Sequence, residues 1–195
     1  ESAGEDAAAE AARKAESSRE RLVESADTVW SAIKENPGCS LTSVLNGIVE
    51  SKREALASLG IELRESIEVK PREDAVRMWH HELRGVIENL VTNASKAMRE
   101  SDERTLTIGA TSNGSSCVVS VSDTGRGMSS QEAERAFVER HSEERGGFGG
   151  LPRSRRLLAR YGGEVSVART APGAGTTMTI TLPRGRPDVS ENGES

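Results

Sequence analysis

Asn89, Asn93 and Lys96 stand at i, i+4 and i+7 within Glu82–Glu100, so two carboxamides and an ammonium fall on one face of a helix. An amide oxygen can ligate a hard divalent cation and an ammonium can hold a phosphate. Asparagine is a poor residue for a helix interior. Two of them one turn apart at the inner edge are costly to desolvate unless something polar sits beside them. The competing reading is a pair of amides satisfied within the fold. Downstream, the stretch Ser-Asp-Thr-Gly-Arg-Gly-Met from Ser122 ends an alternating segment in an acid and two glycines. A second glycine cluster, Gly-Gly-Phe-Gly-Gly-Leu-Pro from Gly146, opens another helical pattern. Glycines let backbone N–H groups approach phosphate oxygens, and a helix N-terminus favours an anion. Amides, ammonium, acid and glycines together point to a phosphate-bearing ligand.

The elements that must position these groups can be read from periodicity. Leu83, Val86, Ile87, Leu90, Val91, Ala94, Ala97 and Met98 make the buried stripe of the helix that carries the two Asn. Ser40 can cap an earlier helix with Leu41, Val44, Leu45, Ile48, Leu56 and Leu59 facing inward and Gly60 at its end. Alternation then predicts strands through Ile61–Val69, around Leu106–Ala110, Cys117–Val121 and Val165–Val167, and through Met178–Leu182. Thr105, Thr107, Ser120, Ser122, Thr177, Thr179 and Thr181 occupy the opposite faces, and Glu65 breaks the pattern at a bulge or an edge. One apolar and one wet face predict an α+β fold: a two-layer sandwich with helices on one side of a mostly antiparallel sheet, plus an N-terminal helix. Asp123 shares the inward parity of Val119 and Val121, and Thr176 that of Met178 and Ile180, so both should point beneath the helices. A carboxylate aimed there needs a donor; the competing role for Asp123 is to close the turn at Thr124-Gly125. Ser129 and Glu132 have the spacing of a capping box, which places a short helix from Ser130.

In motif order, residues 40–184 resemble the histidine-kinase-like ATPases, the superfamily that also holds gyrase, MutL and the heat-shock chaperone ATPase. Asn89-Leu-Val-Thr-Asn93-Ala resembles its N box, Asp123-x-Gly125-x-Gly127 its first glycine box, Gly146–Gly150 its second, and Gly175–Pro183 its closing strand. The resemblance implies the Bergerat fold and binding of ATP with Mg²⁺. It assigns the metal to Asn93 and Asn89, a phosphate to Lys96, and the adenine amino group to Asp123 supported by Thr176. Gly125, Gly127, Gly147, Gly149, Gly150 and Leu151 line the nucleotide, and Arg140 or Arg145 reaches the terminal phosphate from a lid. Two departures stand out. Phe137 is followed by Arg140 where the lid opens with Phe-x-x-Phe, and the second glycine box is shifted by one residue. Hydrolysing members carry Glu at the position of Asn89, whereas sensor kinases carry Asn. The resemblance therefore favours the catalytic domain of a sensor histidine kinase, donating to a histidine on another domain. A non-catalytic nucleotide-sensing module and an anti-sigma-type serine kinase are the alternatives.

Composition bounds the rest. The 195 residues carry a net charge of −5 and no basic block, which argues against nucleic acid as a partner. No apolar run approaches a membrane span. Cys39 and Cys117 are expected to remain reduced thiols, and the histidines at 80, 81 and 141 lack metal-ligand spacing. Residues 1–20 and 185–195 read as disordered tails. Residues 21–36 read as a helix that the resemblance makes the remnant of a dimerisation hairpin, without its phosphoacceptor histidine. The chain begins without Met, as a fragment of a larger cytoplasmic, homodimeric sensor would, with a phosphoacceptor domain and a response regulator as implied partners.

Overall fold

The structure is a computed structural model that describes residues 38–138 and 150–185, with residue 16 as an isolated position. The expected tail over 1–20 and helix over 21–36 lie outside the described residues apart from that position, as does the tail beyond 185.

Ser40 caps the first helix, α1 (Leu41–Ser58), its Oγ accepting from Ser43 N at 3.0 Å. Asp74 anchors the same helix start: it accepts from Thr42 N at 2.7 Å and from Thr42 Oγ1 at 2.9 Å, and bonds Ser40 Oγ. This fixes the short antiparallel pair β1 (Cys39–Ser40) and β3 (Ala75–Val76) beside the helix. Burial, then the Asp74 charge, pushes the Cys39 thiol up to about 11, and burial also raises that of Cys117, whose Sγ donates to Glu73 O, so both thiols are held away from the thiolate form.

Helix α2 (His80–Ala97) starts two residues before the Glu82 expected from periodicity and ends before Glu100, with Met98 at its C-cap. Trp79, at the N-cap, makes no side-chain hydrogen bond there, so no capping signal marks that start in the sequence. The main sheet comprises β2 (Glu62–Glu68), β4 (Thr105–Ser112), β5 (Ser116–Asp123), β6 (Glu164–Thr170) and β7 (Thr176–Pro183), in the order β2-β4-β5-β7-β6. Only β2–β4 is parallel; the other three pairings are antiparallel. Glu65 sits on the edge strand β2 in unbroken register and pairs with Arg53, so the break in alternation marks an edge and not a bulge.

Leu106, Ile108, Val119, Val121, Ile180 and Leu182 of the sheet share one core with Leu45, Ile48, Leu83, Ile87 and Leu90 of α1 and α2. On the other face hydroxyls pair across strands, Ser122 with Thr177 at 2.9 Å and Ser166 with Thr179 at 3.0 Å. Thr105, on the face expected to be wet, is instead buried at the start of β4, where its main chain bonds the loop leaving β5. There Thr124 Oγ1 accepts from Thr105 N at 2.9 Å, and Thr124 N donates to Thr105 O.

Two short helices complete the described fold, α3 (Ser130–Arg135) and α4 (Gly150–Ala159). The expected capping box opens α3, with Glu132 bonded to Ser129 and paired with Arg126 at 3.1 Å. The Ser129 N–H first, then Arg126, holds the Glu132 carboxyl down at about 2. The turn after α4 is tied to α2 by Tyr161, whose hydroxyl donates to Glu82.

Candidate nucleotide site

A cavity of about 130 Å³ opens between α2 and the β5–β7 end of the sheet. Leu90 and Ala94 of α2, Val121, Met178, Met128 and Leu151 form its apolar walls, and the polar groups on it are Asn93, Lys96, Asp123, Arg126 and Thr176. An apolar slot with a few convergent polar groups is the ordinary form of a small-ligand site.

The inward parity of Asp123 and Thr176 holds. They are register partners across β5 and β7, and each is only 8% exposed. Asp123 Oδ1 accepts from Gly125 N at 2.8 Å, so this carboxylate closes its own turn and also lines the cavity. Burial raises the Asp123 pKa above the ordinary 3.8, opposed by the Gly125 and Thr176 N–H groups. A raised acid pKa means that the folded state binds the proton more tightly than the unfolded chain. The ionised group therefore costs stability above the folded pKa, and that cost fades as pH falls toward 3.8. Asp123→Asn is accordingly expected to raise the Tm of the nucleotide-free protein at pH 7, with the gain vanishing near pH 4. On the resemblance's assignment of the adenine amino group to Asp123, the same change should weaken ADP binding about tenfold with or without metal, by removing a charge-assisted acceptor. Calorimetric titration with ADP checks this, and unchanged affinity would remove Asp123 from the site.

The loop after β5 is held from two sides. Arg126 N donates to Ala97 O at the end of α2, and Arg126 O accepts from Gly173 N at 2.7 Å in the β6–β7 turn. Gly125 lies against Ala97, where a Cβ would come within 2.7 Å of backbone. Gly127 has φ +64°, and a Cβ there would meet Ala171 O at 1.9 Å. Both glycines of this box are thus required by packing before any phosphate is considered.

The two asparagines are placed differently. Asn93 lines the cavity, and its Nδ2 is buried without a hydrogen-bond partner among the described residues. Asn89 is engaged: Nδ2 donates to Ser154 Oγ at 3.1 Å, and Oδ1 lies where a Cβ on Gly150 would come within 2.0 Å. The reading of an internally satisfied amide therefore suits the amino group of Asn89 and fails for Asn93. Mg²⁺ takes oxygen ligands and keeps waters alongside substrate phosphates, so a single amide oxygen is a donor of the right kind. Asn93 fits that requirement, with Asn89 one turn away. No group of three or more His, Cys, Asp or Glu offers a protein cage among the described residues. Lys96 is exposed at the rim. Glu88 does not line the cavity; its Oε1 lies 3.1 Å from Arg84 Nη2 and 3.7 Å from Lys52 Nζ. Arg140, Arg145, Gly147 and Gly149 lie outside the described residues.

Thr170 and Ser154 are the polar residues that sequence reasoning passes over. A Thr closing a strand and a Ser inside a helix carry no spacing signal, and only the folded register brings them to Thr176 and Asn89.

Residues 80–186, over half of the chain, match the family described as histidine kinase-, DNA gyrase B- and HSP90-like ATPase. The chain belongs to this family. It is 38% identical to the sensor protein GacS of Pseudomonas syringae pv. syringae over 121 residues, 56% of this chain and 13% of that protein. It is 28% identical to the adaptive-response sensory kinase SasA of Prochlorococcus marinus over 176 residues, 86% of this chain and 45% of that one. The chain thus spans less than half the length of these curated relatives. Among solved structures, the catalytic domain of histidine kinase ThkA matches with a TM-score of 0.62 at 18% identity, covering 77% of this chain and 96% of that one. Full-length ShkA in complex with AMPPNP matches at 0.66 and 24% identity, over 78% of this chain and 32% of that one. These likenesses establish the fold, the two-layer sandwich expected from strand parity being that of histidine kinase catalytic domains; the family match makes it a histidine kinase-, DNA gyrase B- and HSP90-like ATPase domain.

Proposed function

We propose that this chain binds Mg-ATP and donates the γ-phosphoryl group to a histidine on a separate domain, as the catalytic domain of a sensor histidine kinase. The observation that carries the proposal is the pairing of Asn89 with an occupied Glu88. An amide cannot take a proton from water, and the neighbouring carboxylate is held by Lys52 and Arg84. Catalysis of phosphoryl transfer is mostly positioning and charge stabilisation. Without a carboxylate to orient water, the site is suited to an acceptor that brings its own nucleophile.

In this reading Asp123 accepts the adenine amino group with Thr176 beside it. Asn93, with Asn89, holds Mg²⁺, which when bound offsets phosphate charge, and Lys96 meets a phosphate oxygen. Gly125 and Gly127 shape the base pocket, Gly150 and Leu151 at the start of α4 face the phosphates, and Gly147 and Gly149 are assigned to the phosphates as well. Arg140 and Arg145 are assigned to the terminal phosphate. The relatives are named as a sensor protein and a sensory kinase; in this reading the partners are a phosphoacceptor domain and a response regulator, the full-length protein is a homodimer and it acts in the cytoplasm. Among the described residues no helix is long and apolar enough to cross a membrane.

The test is transfer of label from γ-labelled ATP to a phosphoacceptor domain of a sensor kinase, with Mg²⁺. Alone, the chain should hydrolyse ATP very slowly, and Glu88→Gln should leave that rate within about twofold, since it removes only a partly exposed ion pair. Brisk hydrolysis abolished by Glu88→Gln would move the chain to the hydrolysing members. Binding without transfer to any histidine domain would favour a nucleotide-sensing module.

A further inference from the structure

Thr170, the last residue of β6, makes three contacts through one hydroxyl. Its Oγ1 accepts from Met128 N at 2.9 Å, lies 3.2 Å from Gly175 O, and lies 3.1 Å from Thr176 Oγ1. The protons can be counted. A carbonyl oxygen only accepts, so the single Thr170 proton goes to Gly175 O, and the two Thr170 lone pairs take the Met128 N–H and the Thr176 O–H. The proton of Thr176 is thereby turned away from the cavity, and its oxygen presents only lone pairs there, beside the carboxylate of its register partner Asp123.

Resting on the adenine assignment above, we propose that Thr170 is a positioning residue for base selection. By taking the Thr176 proton it makes this end of the cavity a wall of acceptors, which selects a base edge bearing an amino group over one bearing a carbonyl oxygen. The same hydroxyl fixes Met128, whose side chain lines the cavity, so the wall and the apolar slot are set together. Released from Thr170, the Thr176 hydroxyl can turn and donate into the cavity, where it would pair equally well with a ring nitrogen or a carbonyl.

The experiment compares ADP with inosine diphosphate, which carries a carbonyl where ADP carries the amino group, by calorimetry on the whole chain. Wild type should prefer ADP. Thr170→Val, which keeps shape and removes the hydroxyl, should narrow that preference about tenfold, because a mismatched polar group is what a hydrogen-bonding site rejects most strongly. Thr170→Ser should retain the preference within about twofold, since it keeps the oxygen that accepts the Thr176 proton. Thr170→Ala is read in the same way should the Val variant fail to fold. A parallel loss for both nucleotides in Thr170→Val, with the wild-type preference intact, overturns the proposal alone and leaves Thr170 a mere loop anchor. Equal binding of both nucleotides by the wild type overturns the adenine assignment and this proposal together.

Discussion

Asn93→Ala should weaken Mg-ATP binding roughly a hundredfold while leaving ADP binding in EDTA within about threefold, because in the proposed reading it removes a metal ligand and spares the groups assigned to the base. The structure separates this effect from stability. Asn93 Nδ2 is buried without a partner, so the ligand-free protein already bears the cost of an unmatched donor, on the order of 1–3 kcal/mol. Truncation relieves that cost while losing some packing, and the Tm should move little. Binding and Tm thus respond differently, which a folding defect would not produce. Titration with ATP in Mg²⁺ and in EDTA, beside a melting curve, decides the matter. Equal loss under both conditions would take the metal away from Asn93.

The stability cost recurs at Asp123, where burial raises the carboxyl pKa although the cavity could have been lined with apolar groups. Two polar side chains in one cavity, each held at a cost in the absence of ligand, are what a binding site requires and a structural core avoids. Asn89 shows the converse: its amide is already committed to α4 through Ser154 and Gly150, so its orientation depends on where that helix begins.

How much of this was legible in the sequence follows from the range of the interactions. Strand parity is local, and it placed Asp123 and Thr176 correctly because neither β5 nor β7 contains an irregularity. The capping residues of α1 and α3 are local as well, and both helices begin where Ser40 and Ser129 indicate. The start of α2 lacks any capping side chain, so its boundary differs by two residues from the one periodicity gives, while its buried stripe holds except at Ala97, which is half-buried. The burial of Thr105 is not legible in alternation, since the residue that bonds its main chain, Thr124, lies nineteen residues on. Ser154, Thr170 and the ion pairs of Glu88 lie beyond the reach of periodicity for the same reason. They depend on contacts between elements far apart in sequence, and nothing in their residue types announces them.

Gly127→Ala is expected to be among the most damaging single methyls in the described fold, and the reason is backbone before it is ligand. At φ +64° an L side chain is strained by roughly 1 kcal/mol or more. The larger part is steric: the new Cβ would stand 1.9 Å from Ala171 O and 2.8 Å from Ala171 C, which are main-chain atoms that cannot rotate aside. Relief requires the β6–β7 turn to move away, and that turn is held through Gly173 N to Arg126 O and through Thr170 to Met128 N. The total cost should reach roughly 3–5 kcal/mol, a large share of the ~5–15 kcal/mol that holds a domain together. Because the loop and turn carry Met128 and Thr176, ADP affinity should fall with stability, unlike the split behaviour expected of Asn93→Ala. Chemical denaturation gives the first number and calorimetry the second. A Gly127→Ala protein as stable as wild type would mean that the turn is free to shift, and the interlocked loop could not then be what fixes the base pocket.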